Sequence, residues 1–466
     1  SLPGDQQFTA TRFRHNMAIS RDGTQFVYAA HGRLYLKSMH ELDSKPIRGT
    51  EIAVSGPSPV FSPDGQWLAF FASTEGAYKR IAVSGGAPVT ICQCDYPFGV
   101  SWGTDDQIVI GQGNKGIIRV SANGGTPQTI VAVKENEFAH GPQILPRGNA
   151  MLFTLASGIQ LDRWDKARIV VPKINSGERK IIFEGGTDAR YSPTGHIFYA
   201  LSGTLLAVPF DLKRLERTGQ PVSIVEGVGR PIQASTGASH FGFSENGTLI
   251  YVPGTNLASD QNSLNLVDRS GHVEAVRIPP GFFEAPRISP NGKRLAFDSL
   301  EGNEFVVSVY ELSGANSVGR LTFGRNNRFP TWSADGERIL FQSDREGDMG
   351  IFWQRADGGG SAERVTKSET GIFHAPTSWP PKTQRFAFNG NKAGVPSLWT
   401  FSFQDKKAAL FAESPAGLAG SVMMNGSISP DGSWLAYQSN ETGTWEVYVQ
   451  PIPATGAKYQ ITKGGT

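Results

Sequence analysis

A short motif recurs ten times along the chain and restricts the fold more than any other feature of the sequence. In its best copies an apolar residue precedes Ser-Pro-Asp-Gly or Ser-Ala-Asp-Gly, and alternating apolar residues follow, as at 61–70, 332–341 and 428–437. The serine of the motif, or the residue that replaces it, stands at positions 20, 62, 103, 145, 192, 244, 289, 333, 380 and 429. Successive copies are therefore 41 to 52 residues apart. A period of this length indicates a repeat architecture.

The chemistry of the motif indicates what each repeat contains. Proline fixes φ at the second position of a turn, aspartate accepts hydrogen bonds from the turn backbone, and glycine supplies positive φ, so the tetrapeptide joins two antiparallel strands. A second turn rich in glycine follows in most repeats, as at 84–86, 123–125 and 357–359. Each repeat then holds four short strands, which cannot bury both faces of a sheet alone and pack against the neighbouring repeats. The sequence predicts an all-β fold, a β-propeller with ten four-stranded antiparallel blades.

Ten blades exceed the four to eight that usually close one ring. We therefore expect two tandem rings, and a single ten-bladed ring is the alternative. The widest interval between motifs contains an irregular segment at 227–238. This segment places the predicted boundary between an N-terminal propeller of repeats 1–5, residues 1–230, and a C-terminal propeller of repeats 6–10, residues 231–466.

Charge and motif content exclude several classes of function. The chain has 44 basic and 42 acidic residues, a net charge of +2, and no basic run of the kind that binds nucleic acid. No apolar stretch is long enough to predict a membrane segment. The nearest string to the Gly-x-Ser-x-Gly motif of α/β-hydrolases, 237–241, ends in phenylalanine, and kinase motifs are absent. Cys92 and Cys94 are expected to be small apolar residues of an outer strand, with a strained disulfide or a metal site as the alternative.

The repeated Ser-Pro-Asp-Gly-x-x-Leu-Ala-Phe pattern, followed by a strand and Gly-Gly, resembles the WD-like blade of TolB-type propellers. The stretches 84–90, 185–191 and 203–211 are similar to the propeller region of bacterial receptor-type serine/threonine kinases. The resemblance implies a bacterial, extracytoplasmic sensor or docking module, periplasmic or at the cell surface. A cytoplasmic location is the alternative.

The residues just ahead of the innermost strand of each blade form one mouth of a propeller channel. We define the rim register as the position five residues before the serine of each repeat, together with the residue on either side of it. Four of the eight histidines fall in that register, whereas 30 of 466 positions would capture fewer than one by chance. Imidazole is a common metal ligand. The candidate ligand-binding residues of the rim, some just beside this register, are His15, Asn16, Phe98, His140, Asp188, Arg190, His240, Glu284, Arg328, His374 and Asn425.

We expect a recognition, sensor or scaffold module without catalytic activity that binds a protein, peptide or small-molecule ligand at a propeller mouth. It is expected to be the extracytoplasmic part of a signalling receptor. The alternative is a propeller lyase or hydrolase with a metal-assisted site at the rim. A divalent metal is the one cofactor considered, and its candidate ligands are His15, His140, His240 and His374. The opposing interpretation is that these histidines only satisfy carbonyl groups of neighbouring blades.

Overall fold

The computed structural model describes most of the chain, and every described element is a β-strand, 41 in all. The all-β prediction is confirmed. Among the described residues, no helix has the length and apolar character needed to cross a membrane. The described residues are 14–51, 56–73, 75–95, 97–146, 150–158, 162–172, 179–231, 236–254, 262–301, 304–312, 318–368, 373–380, 383–392, 395–414, 423–442 and 445–463.

The chain divides into two compact units, Ser1–Asn256 and Leu257–Thr466. Within the described part of the first unit, the strands form six antiparallel sheets. The first three sheets consist of β1 (Met17–Ile19), β2 (Gln25–Ala30), β3 (Arg33–Ser38) and β4 (Ser44–Pro46); β5 (Val60–Phe61), β6 (Trp67–Ala72), β7 (Ala77–Ala82) and β8 (Val89–Gln93); and β9 (Val100–Trp102), β10 (Gln107–Gly111), β11 (Ile117–Ser121) and β12 (Gln128–Val131). The other three consist of β13 (Glu137–Ile144), β14 (Met151–Ser157), β15 (Arg168–Pro172) and β16 (Arg179–Glu184); β17 (Thr187–Ser192), β18 (His196–Leu201), β19 (Thr204–Asp211), β20 (Glu216–Arg217) and β21 (Val222–Val225); and β22 (Phe241–Phe243) with β23 (Leu249–Tyr251).

Consecutive sheets of the first unit pack face to face through apolar side chains. Strand β1 contacts β5, β5 contacts β9, β9 contacts β13, and β13 contacts β17. Side chains of β18 and β19 share an apolar cluster with Phe241 of β22. The sixth sheet also reaches the first, because β22 contacts β1 and Ile250 packs against Tyr28. Each sheet of this unit therefore covers the faces of two others, as propeller blades do.

The recurrent motif forms the predicted turn between the first and second strands of a sheet. At 62–67 the Asp64 carboxylate accepts hydrogen bonds from the Ser62 hydroxyl and the Gln66 amide, and Gly65 has a φ of 69°. The Ser62 hydroxyl oxygen accepts the Trp67 amide at 2.9 Å. The same contacts recur at 429–434 and 333–338. Local hydrogen bonds thus fix the turn, which explains why its residue types are repeated.

A bulge in the innermost strand accounts for the rim register. Strand pairing shifts after His140, Thr187, Glu284, Arg328 and Met424, each five residues before its motif position. The next residue has positive φ in several repeats. These residues are Ser58, Gly99, Gly141, Asp188, Ala285, Phe329 and Asn425. The bulge bends the strand near its first residues. Side chains of this register therefore do not follow the regular alternation between the two faces of the sheet.

The second unit contains four four-stranded antiparallel sheets and one hairpin among its described residues. The hairpin is β24 (Asn265–Val267) with β25 (Val273–Ala275). The sheets are β26 (Phe283–Ile288), β27 (Arg294–Glu301), β28 (Glu304–Glu311) and β29 (Val318–Arg320); β30 (Asn327–Trp332), β31 (Arg338–Ser343), β32 (Gly350–Arg355) and β33 (Glu363–Arg364); β34 (Ala375–Ser378), β35 (Arg385–Lys392), β36 (Val395–Ser402) and β37 (Lys407–Glu413); and β38 (Met423–Ile428), β39 (Trp434–Ser439), β40 (Glu446–Pro451) and β41 (Tyr459–Gln460). Consecutive sheets contact one another in chain order.

The sixth repeat departs from the predicted pattern. Among the residues that the structure describes, its first two strands, β22 and β23, form a two-stranded sheet in the first unit, whereas β24 and β25 form a separate hairpin in the second unit. Nine sheets among the described residues have four or five strands, so the prediction of ten four-stranded blades is not met at this repeat. The compact units divide after Asn256 rather than after residue 230, because β22 packs on β1 and on the preceding sheet.

Candidate functional site

The innermost strands of all six sheets in the first unit line one cavity of about 230 Å³. Met17 and Ile19 of β1, Phe61 of β5 and Trp102 of β9 supply apolar walls. Among its polar groups are His15, Asp188 and Arg190, which belong to or adjoin the rim register; Arg21, Gln143 and Glu245 also line it. The cavity therefore combines apolar walls with several charged and polar groups, as ligand sites do.

The Asp188 carboxylate is the centre of a buried polar cluster. One oxygen, Oδ2, lies 2.6 Å from His15 Nε2 and accepts the Ser239 amide at 2.9 Å. Arg190 donates from Nη2 to both carboxylate oxygens at 3.2 and 3.3 Å. Aspartate is one of the few residue types that tolerate the φ of 53° found here. The left-handed backbone thus places a charged side chain where the bulge turns inward.

Two further histidines surround this carboxylate. His140 Nε2 lies 3.4 Å from Asp188 Oδ1, and the His140 ring stacks on His15 with a centroid separation of 5.6 Å. Trp164 contacts the His140 ring edge to face at 5.5 Å. His240 follows Ser239 and is buried, and its Nδ1 has no hydrogen-bond partner among the described residues. We call His15, His140, Asp188, Arg190 and His240 the first-unit cluster.

Burial and charge determine the protonation of the cluster. Burial raises the pKa of Asp188, but the charge of Arg190 and the interactions with His15 and His140 outweigh it and hold the pKa well below its usual value. Burial lowers the pKa of His140, although Asp188 acts in the opposite direction. Burial, together with the electrostatic interaction with His15, lowers the pKa of His240 to about 3. At neutral pH the cluster therefore holds a carboxylate, a guanidinium and at least two neutral imidazoles.

Gly237 packs closely against Thr187, Trp164 and His140 at one side of the cluster. Its carbonyl accepts the Thr187 hydroxyl at 2.7 Å. A Cβ on this residue would lie 2.4 Å from Thr187 Oγ1, 2.7 Å from the Trp164 ring and 3.0 Å from the His140 ring. We expect Gly237→Ala to lower the free energy of unfolding by about 1 to 3 kcal/mol, because overpacking displaces neighbouring rings. Urea unfolding measures this loss. Gly319→Ala is the control, since its Cβ makes only an ordinary contact at 3.6 Å, and an equal loss in both variants would contradict the expectation.

In the second unit the structure brings together two of the predicted residues, Glu284 and Arg328, as an ion pair. Arg328 Nε also lies 3.9 Å from Asp298 Oδ2, and its guanidinium packs on the Phe305 ring at 4.3 Å. Asp298 is fully buried, and neither carboxylate oxygen has a hydrogen-bond partner among the described residues. Burial raises the pKa of Asp298 to about 7. The charge of Arg328 acts to lower this pKa, and the charge of Glu284 acts to raise it.

The other predicted residues lie in separate surroundings. His374 belongs to the second unit, where its Nδ1 lies 2.9 Å from Thr366 Oγ1 and burial lowers its pKa to about 4. Asn425 is exposed and donates from Nδ2 to Gln438 at 3.1 Å. Phe98 packs near Trp164 beneath the first-unit cluster, and Asn16 is buried beside His15. The described contacts therefore join His15, His140 and Asp188 into one candidate site and leave His374 outside it.

Two residues that belong to or contact these clusters are not among the residues predicted from the sequence. Asp298 occupies the position that Phe71 holds in the second repeat, directly after Leu-Ala-Phe, so a charged residue in an apolar strand was the available signal. Trp164 lies between β14 and β15, outside the repeated positions, and had no such signal. The two cysteines lie in the apolar cluster between the second and third sheets, with Cys92 buried and both thiols free.

Comparison with known proteins supports the TolB-like resemblance but covers only part of each chain. No protein-family model matches the chain. It is 37% identical over 187 residues to the Tol-Pal system protein TolB of Anaeromyxobacter dehalogenans strain 2CP-C, which is 39% of each protein. The chain resembles TolB-type β-propellers. A segment of 93 residues is 30% identical to the uncharacterized peptidase YuxL of Bacillus subtilis, 19% of this chain and 14% of that one. The chain thus spans about two fifths or less of the length of these curated relatives.

Solved structures give distant likenesses. TolB from Acinetobacter baumannii is 13% identical, with a TM-score of 0.32 over 85% of this chain and 77% of that one. The β-propeller domain of the Trilobed protease from Pyrococcus furiosus is 15% identical, with a TM-score of 0.31 over 71% of this chain and 99% of that one. At these scores the likenesses carry no argument about the site.

Proposed function

We propose that the first unit is a closed six-bladed propeller that binds a peptide segment of a partner protein in its cavity. The observation that carries the proposal is the convergence of all six innermost strands on one cavity with Arg190 in its polar wall. The relatives named Tol-Pal system protein TolB support a protein-binding or scaffold role. In this proposal the second unit is a second propeller or a scaffold domain of the same protein.

Arg190 is the group best placed to select the ligand. Its side chain is 30% exposed, and its guanidinium lies over the Phe241 ring at 5.0 Å, which fixes its orientation. The hydrogen bonds of Arg190 to Asp188 and His15 use Nη2 and Nε, and Nη1 makes no hydrogen bond to the described part of the chain. A guanidinium with spare donors at the wall of a cavity binds carboxylate or carbonyl oxygens. The proposed ligand is therefore a peptide that presents an acidic side chain or its terminal carboxylate.

Selection from a library of displayed random peptides tests this function. We expect enrichment of peptides with Asp, Glu or a required free C-terminus, and saturable binding of the synthetic peptides without change in their mass. Arg190→Gln should weaken that binding about 10- to 100-fold, because one charge-assisted hydrogen bond is lost. Arg33→Gln, a half-exposed arginine paired with Glu51 on β3, is the matched control and should bind normally.

Two results would overturn the proposal. Binding that survives Arg190→Gln unchanged would place the ligand elsewhere. Peptide products in the mass spectrum, lost in His140→Ala, would instead favour the alternative of a propeller hydrolase.

The extracytoplasmic location and the place in a signalling receptor belong to the same proposal and rest on the resemblance to receptor-kinase propellers. The intact gene product tests this context. A kinase domain followed by a membrane span ahead of the present residues would support it, and a cytoplasmic gene product without either would contradict it.

A further inference from the structure

We propose that His15, His140 and Asp188 form a binding site for one divalent transition-metal ion of the zinc class. This inference is independent of the peptide-binding proposal, because it concerns the polar floor of the cavity rather than its occupant. Each of the three residues offers one ligand atom, and the three atoms lie within 4.8 Å of one another. Two imidazoles and one carboxylate are a donor set that such ions prefer.

The spacing of His140 and Asp188 fits a shared ion better than a hydrogen bond. His140 Nε2 and Asp188 Oδ1 are 3.4 Å apart, yet neither ring nitrogen of His140 makes a hydrogen bond with the described residues. Ligand bonds of about 2.0 to 2.1 Å in tetrahedral geometry separate two ligand atoms by about 3.3 Å. The His140 side chain is 1% exposed and therefore cannot obtain its hydrogen bonds from bulk solvent. A metal ion between these atoms would give the buried imidazole a partner.

The contacts of His15 are incompatible with one another unless an ion or a movement resolves them. Its Nε2 lies 2.6 Å from Asp188 Oδ2, which requires a proton on the nitrogen, and 2.8 Å from Arg190 Nη2, which requires a lone pair. One imidazole nitrogen cannot donate and accept at the same time. A metal ion would take the lone pairs of His15 Nε2 and Asp188, and Arg190 would retain the second carboxylate oxygen or a ligand. Because His15 and Asp188 both line the cavity, the ion would keep a coordination position open to it.

Arg190 gives the proposal a directional test. Its positive charge lies beside two of the three proposed ligands and repels a divalent cation. Arg190→Gln should therefore tighten metal binding about tenfold or more. The same substitution is expected to weaken binding of the peptide. The two proposals thus predict opposite signs for one variant, and the failure of either is separable from the failure of the other.

Titration of the metal-free protein with Zn²⁺ and with Co²⁺, by calorimetry and visible absorption, is the experiment. We expect one equivalent to bind with micromolar affinity or better, and His140→Ala and Asp188→Asn to weaken it about 100-fold or more, beyond the cost of losing an outer partner. His374→Ala, which removes a half-buried histidine of the second unit, is the matched control and should bind normally. Circular dichroism verifies that each variant is folded, and Arg190→Gln tests the site without removing a ligand.

The outcomes separate this site from the cysteine pair. Thiolate charge-transfer bands with Co²⁺, lost in the double variant Cys92→Ser and Cys94→Ser, would place the ion at the cysteines and overturn the proposal. So would the absence of binding, or binding that Arg190→Gln weakens. Binding by wild type and His374→Ala, lost in Asp188→Asn and tightened in Arg190→Gln, would establish the site.

Discussion

Asp188→Asn is expected to lower the free energy of unfolding of the first unit by about 3 kcal/mol. Removal of one partner from a buried ion pair leaves the other partners without their compensating charge, and such losses measure about 3 to 5 kcal/mol. Here the partners are Arg190, His15 and the Ser239 amide. Because Arg190 is 30% exposed, water compensates part of its loss, so the effect lies at the lower end of that range. Urea unfolding followed by tryptophan fluorescence measures it.

A second substitution at this position separates charge from backbone. Asparagine tolerates the φ of 53°, whereas alanine does not, so Asp188→Ala should cost about 1 kcal/mol more than Asp188→Asn. Asp357→Asn is the control, because Asp357 pairs with Arg355 on the exposed surface of the second unit. An Asp188→Asn protein as stable as wild type would mean that the cluster is not held by its central charge.

The repeat explains why much of this cluster was visible in the sequence. His140 and Asp188 were predictable because the inner strands of five repeats bulge at one register, so a count from the serine position reaches the same place in each of these sheets. Arg190 lies two residues beyond Asp188 in the sequence, and the structure joins the two side chains by hydrogen bonds. The turn chemistry, the antiparallel order and the four-stranded sheets were also predictable, since short-range hydrogen bonds and φ preferences fix them.

What the sequence did not disclose depends on packing between sheets. The predicted boundary separated His240 from His15, but the sheet of β22 and β23 packs on the first sheet, and that choice rests on apolar contacts between distant residues. Trp164 comes from a connection with no repeated pattern. Asp298 lies on β27, the second strand of its sheet, whereas the rim register covers only residues at the start of the first strand. The turn motif therefore predicts where the rim residues lie in each repeat, whereas contacts between sheets determine which rim residues come together.

The two buried aspartates of the clusters differ in their electrostatic surroundings. Asp188 has a guanidinium, histidines and a backbone amide as partners, and its pKa falls in spite of burial. Asp298 has Arg328 at 3.9 Å, but that arginine already pairs with Glu284, whose negative charge opposes the ionisation of Asp298. The charge of Arg287 also interacts with Asp298. Burial therefore prevails at Asp298, and its pKa is raised to about 7.

This difference predicts that the second unit loses stability as the pH rises from about 4 to 7. An unfolded aspartate has a pKa of about 3.9, so between that value and about 7 the folded state binds the extra proton. Stability falls with pH wherever the folded state binds more protons, by at most about 1.4 kcal/mol per pH unit for one group. We expect a total loss on the order of 4 kcal/mol, complete above about pH 7.

Urea unfolding of wild type and Asp298→Asn at several pH values between about 4.5 and 8 measures this effect, with the transition assigned to the second unit by hydrogen exchange. The amide cannot ionise, so the variant should lack this decline and should exceed wild type in stability above pH 7. Glu301→Gln removes an exposed carboxylate of the same strand, paired with Arg320, and should retain the wild-type pH dependence. A decline of equal size in Asp298→Asn would assign the proton to another group, whereas its loss would identify Asp298 as a carboxyl that is neutral in the acidic range and charged above it.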